Sequence, residues 1–166
     1  MILGMSLETF TLVHVLISFV GIGAGVLVVY GFLRAKRLDG ATAIFLAFTV
    51  LTSVTGFLFP FEHLMPSHIL GIISLVVLAI AIVARYAQHM SGAWRWIYVV
   101  TSVLALYLNV FVLVAQSFMK VPALHALAPT QKEPPFAVAQ IAVMLIFIVF
   151  GVFAVKKFHS PQVSAA

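Results

Sequence analysis

The chain has 166 residues, of which 64% are hydrophobic and only 8% charged, with a mean hydropathy of +1.22 and a formal net charge of +5. That composition lies outside the range of soluble domains and marks an integral membrane protein. The absence of cysteine excludes disulfides, thiolate zinc sites, iron–sulfur clusters and thiol redox catalysis, so any metal would rely on His, carboxylate or Met.

Five windows, 9–33, 40–61, 63–84, 96–119 and 134–155, contain no Asp, Glu, Lys or Arg. Each is long enough for a helix to cross ~30 Å of hydrocarbon, and none alternates as a barrel strand would. The expected fold is an all-α polytopic bundle, a single membrane domain over 1–166. Its five transmembrane helices fall at about 9–33, 41–60, 67–86, 95–119 and 136–155, and an outer loop at 120–135. Arg34, Lys36, Arg37, Arg85, Arg95, Lys156 and Lys157 fall on one side of this bundle, against Lys120 and Lys132 on the other. The positive-inside rule then puts the N-terminus outside and the C-terminus in the cytoplasm. Basic residues that cluster for orientation give no reason to expect nucleic acid. Helix 1 is too long for a signal peptide and is expected to be retained.

Helix 1 carries His14, and Gly21 and Gly25 make a small-residue pair for close helix packing. Helix 2 is rich in hydroxyls, Thr49, Thr52, Ser53 and Thr55, and Pro60 is expected to end or bend it. Ser67 is a natural N-cap for helix 3, which makes His68 its first helical residue and an available ligand or hydrogen-bond partner. Asn109 of helix 4 sits near mid-membrane, and a hydroxyl of helix 2 is its simplest partner. Tyr30, Tyr86, Trp94, Trp96 and Tyr98 gather near the basic ends as an interfacial aromatic belt. Residues 122–128, bounded by prolines, read as a short interfacial helix centred on His125, with 121–135 capping the outer helix ends.

Four of the six histidines fall on the outer side, together with Glu62. His14 and His68 are the only pair suited to hold a haem b, and His14, Glu62, His63, His68 and His125 are the candidate ligands of a divalent metal. The plainer alternative leaves these histidines at headgroup level, with His14 hydrogen-bonded across a helix interface. Three function classes follow: a metal- or haem-binding redox or sensor protein, a non-catalytic accessory subunit, and a carrier of protons or small solutes. No nucleophile–base pair or nucleotide motif favours an enzyme. The partners expected are membrane lipid and either a second copy of the chain or a larger membrane complex.

The stretch Thr52-Ser-Val-Thr-Gly-Phe-Leu-Phe-Pro-Phe-Glu-His, followed by Pro66-Ser-His-Ile-Leu-Gly, Lys120-Val-Pro-Ala-Leu and Leu127-Ala-Pro-Thr-Gln, resembles a group of small bacterial membrane proteins of uncharacterised activity. The resemblance covers most of the chain and implies the bacterial inner membrane, with no residue roles to carry over. Length and helix number are also like those of the tryptophan-rich sensory proteins, but two Trp residues and no matching aromatic motif argue against that family.

Overall fold

The computed structural model describes residues 2–60 and 66–158. In chain order the helices are α1 (Leu7–Leu33), α2 (Asp39–Gly56), α3 (Pro66–Ile82), α4 (Trp94–Lys120), α5 (Pro122–Leu127) and α6 (Pro134–Lys157), and a π-helical turn (Val83–Ala87) continues α3. All except α5 are long and apolar enough to cross a membrane, which makes this a multi-pass membrane protein. Among the described residues no strand forms beyond a single bridge between Ile2 and Met5.

Apolar side chains gain little by leaving lipid for another helix, so close backbone approach has to hold such a bundle together. Gly21 supplies it between α1 and α2, where an added Cβ would meet Thr49 Oγ1 at 3.3 Å. At Gly25 the same atom would come within 2.7 Å of Leu106 and 2.8 Å of the Phe45 ring. The small-residue pair of α1 is therefore a packing face for α2 and α4. The second of these helices is the hub, touching α1, α2, α3, α5 and α6, and it buries Tyr98, Val99, Ser102, Val103, Ala105 and Leu106. By contrast α6 packs mainly on α4 and α1 and leaves most of its surface outward.

Short connections place the polar side chains. After α1, Ala35 takes a left-handed conformation (φ 52°), Lys36 N–H reaches back to Gly31 O and Ala35 N–H to Phe32 O, the hydrogen bonds of a Schellman ending. This tight reversal brings Asp39 to the first position of α2, at the positive end of its dipole. At the other end α2 stops at Gly56, four residues short of Pro60, because the chain turns at Phe57 to lay that ring against Gly71 of α3. Pro66 rather than Ser67 opens α3, a position where the missing N–H of proline costs nothing, so His68 is the third helical residue and not the first.

Candidate functional site at the polar face of α2

Asp39, Thr42, Thr49, Ser53 and Gly56 fall on one face of α2 and span its 18 residues, about 25 Å of helix at 1.5 Å per residue. That is most of a ~30 Å hydrocarbon core. Thr42, Thr49 and Ser53 are buried in the bundle. Ionisable groups stand at both ends of this face.

At the basic end is Arg85. The π turn adds one residue to the helical repeat, and Ala84 and Arg85 both turn inward, leaving the Arg85 side chain 4% exposed. Its Nη2 donates to Asp39 Oδ1 and its Nη1 to Tyr98 Oη at 3.3 Å, while the Tyr98 ring centroid lies 5.3 Å from the guanidinium carbon. Tyr98 in turn donates to Thr42 Oγ1 at 3.3 Å. Arg37 also approaches Asp39 Oδ1, at 3.4 Å, from the more exposed side. Two sequence expectations are corrected here. Arg85 is a buried side chain engaged with α2 and α4, not an orienting charge at the surface, and Tyr98 is fully buried as its partner, whereas Tyr30, Tyr86 and Trp96 are each about half exposed as belt residues should be.

At the other end is His14. Its Nδ1 lies 2.7 Å from Thr55 Oγ1, and that hydroxyl spends its single proton on Leu51 O at 2.7 Å. With that proton on Leu51 O, Thr55 accepts from Nδ1–H and Nε2 keeps its lone pair; in the other tautomer Thr55 donates to Nδ1. Phe59 packs edge-on to the ring, with centroids 5.2 Å apart. A Cβ added at Gly56 would stand 3.9 Å from His14 Cε1, so the imidazole lies over the end of the polar face of α2. His68 is also buried, 5% exposed, and stacks on Phe57 at 5.7 Å. Both histidines thus lean on the last turn of α2 and the residues just after it.

The middle of the face is short of partners. Ser53 Oγ bonds to Thr49 O and lies 3.2 Å from Ser74 Oγ of α3. Thr49 Oγ1 and Asn109 Nδ2 are buried with no hydrogen-bond partner. Ser102 Oγ, although close to the Tyr98 hydroxyl, has none in bonding geometry either. The expected bond from Asn109 to a hydroxyl of α2 does not form, because α2 and α4 make only slight contact. Buried polar atoms in this condition call for water or a ligand.

The metal grouping expected from the sequence includes Glu62 and His63, which lie outside the described residues. Among the described residues no three His, Asp or Glu side chains lie close enough to hold an ion. His14 and His68 are held by different neighbours, and His125 is exposed on α5. The sequence reading passed over Asp39 altogether. Its signal was available, as the lone acid among the basic residues of that end.

The loop after α4 is fastened at its far half. Ala128 is fully buried and Gln131 Nε2 donates to Ala115 O at 2.7 Å, while α5 itself buries no residue. Glu133 accepts from the Thr130 hydroxyl at 2.8 Å and from the Thr130 and Lys132 amides. These bonds, the Thr130 hydroxyl foremost, hold its carboxyl below the usual range. A lowered folded-state pKa contributes stability above the unfolded value and loses it as pH falls through the folded one. Amide protection at Thr130 and Lys132, measured by hydrogen exchange, is accordingly expected to hold through mildly acidic pH and to fall once the pH drops below the usual carboxylate range. Protection independent of pH would show that the carboxylate does not organise the turn.

Comparison of the chain with protein-family models, with curated proteins and with solved structures found no match to any of them.

Proposed function

We propose that this chain is a multi-pass carrier of the bacterial cytoplasmic membrane that moves protons, alone or with a small polar solute, along the polar face of α2. The observation that carries the reading is the run along α2 in which Thr42, Thr49 and Ser53 are buried, with the ion pair of Asp39 at one end and His14, 2.7 Å from Thr55 Oγ1, at the other. Ionisable groups within a membrane span are expensive, and a functional role is their default explanation. Thr49 Oγ1, unpartnered among the described residues, marks where water would complete the path.

The purified protein in liposomes, with a pH indicator inside and a valinomycin potassium potential as the drive, is expected to pass protons faster than protein-free liposomes. Equal rates would end this reading.

A second reading is favoured by one observation. Fixing Nδ1–H on a neighbour is how metal-binding histidines are oriented, and His14 Nδ1 lies 2.7 Å from Thr55 Oγ1, with buried His68 of α3 stacked on Phe57 just past the end of α2. The protein would then hold haem b or a divalent metal in a redox or sensing role. A Soret band, or stoichiometric metal in the purified protein, would favour it over the carrier.

The orientation proposed is N-terminus out and C-terminus in, from the excess of basic residues at one end. Single cysteines at Ser91 and Thr130 are expected to respond oppositely to a membrane-impermeant thiol reagent on spheroplasts, with only position 130 labelled. Labelling of 91 alone would invert the assignment.

A further inference from the structure

A groove of about 570 Å3 runs between α4 and α6, walled by Val103, Leu104, Tyr107, Phe147, Gly151 and Val155, and Lys156 stands at one end. Its deepest residue on α6 is Met144, 12 residues from Lys156 and therefore about 18 Å along the axis. That depth is close to one leaflet, half of the ~30 Å hydrocarbon core. Trp96, about half exposed, precedes the groove residue Val100 by one turn on the same face of α4, at the level where interfacial aromatics anchor. The walls are apolar and Lys156 meets the only end at which a headgroup could sit.

We propose that this groove binds one acyl chain of an anionic phospholipid, with the headgroup phosphate beside Lys156. Charge complementarity selects the lipid class: the same end of the bundle carries Arg34, Lys36, Arg37, Arg95 and Lys157 against the single acid Asp39. Gly151 forms the floor. An added Cβ there would meet Val103 at 3.7 Å, an ordinary contact, so a side chain at 151 starts into the groove without a clash at its first atom. This site is separate from the polar face of α2 and stands whether or not the chain carries protons.

The test uses the full-length protein in bilayers, with Trp94→Phe leaving Trp96 as the sole tryptophan, and lipids brominated near the headgroup end of the chain. Phosphatidylglycerol is expected to quench Trp96 at a roughly five-fold lower mole fraction than phosphatidylcholine, the ratio set by one basic residue at the membrane surface. Lys156→Glu is expected to abolish that preference and Lys156→Gln to reduce it, while Gly151→Leu weakens quenching by both lipids. Equal quenching by the two lipids in the unsubstituted protein would mean ordinary boundary lipid and overturn the proposal. So would cross-linking between copies through Gly151→Cys, which would place a second chain in the groove.

Discussion

Asp39→Ala is expected to destabilise the protein by about 3 kcal/mol, and Arg85→Met by about 1 kcal/mol or less. The order follows from which charge each substitution leaves behind. Arg85 is 4% exposed and Asp39 58% at the side chain, so removing Asp39 strands a buried guanidinium, whereas removing Arg85 leaves a carboxylate that already faces out and has Arg37 beside it at 3.4 Å. Breaking a buried pair costs about 3–5 kcal/mol when one charge is left uncompensated, and the exposure of Asp39 puts this pair at the low end. Methionine also keeps much of the volume and apolar stem of arginine, so little packing is lost. Tyr98→Phe, which removes one hydrogen bond to Arg85 and one to Thr42, should fall between them at about 1–2 kcal/mol. Unfolding midpoints in mixed detergent micelles measure all three. If Arg85→Met costs as much as Asp39→Ala, the guanidinium is not held as a buried charge and the basic end of the polar face is not closed by this pair.

Helix positions were legible in the sequence because a charge-free window has one physical meaning in a chain this apolar, and α1, α4 and α6 begin and end within about two residues of where those windows put them. The C-terminal end of α2 was not. Pro60 reads as the terminator, but the stop at Gly56 depends on Phe57 finding a place against Gly71, a contact made possible only by the packing of α3. Rotation was the larger gap. That Thr49 and Ser53 face inward and that Thr55 faces α1 follows from where Gly21 and Gly25 let the helices approach, and a sequence of hydroxyls on a helix does not encode that. The burial of Arg85 is hidden for a related reason: a charge at the end of an apolar run reads as one that orients the helix at the surface, and only the π turn brings it inside. The need of His14 for a partner was legible from its depth, and the identity of Thr55 was not, since four hydroxyls of α2 offered themselves equally.

His14→Phe is expected to lower valinomycin-driven proton entry into liposomes by roughly 10²-fold, the scale on which a positioned proton-transfer group acts, and to leave the bundle folded. The stability cost should be small, because the interhelical bond to Thr55 is worth about 1 kcal/mol within a membrane and phenylalanine keeps the edge contact with Phe59. Thr55→Val separates orientation from chemistry. It removes the partner of Nδ1 and keeps the imidazole, so proton entry should fall, but by less than for His14→Phe. His125→Ala, on exposed α5, should change nothing. Should His14→Phe conduct as well as the unsubstituted protein, protons do not pass by this residue and the carrier reading loses its entrance. Should it instead lose a Soret band or a bound metal that the unsubstituted protein shows, His14 is a ligand: the open Nε2 that suits it to take up a proton is the same lone pair that would bind iron or a divalent ion.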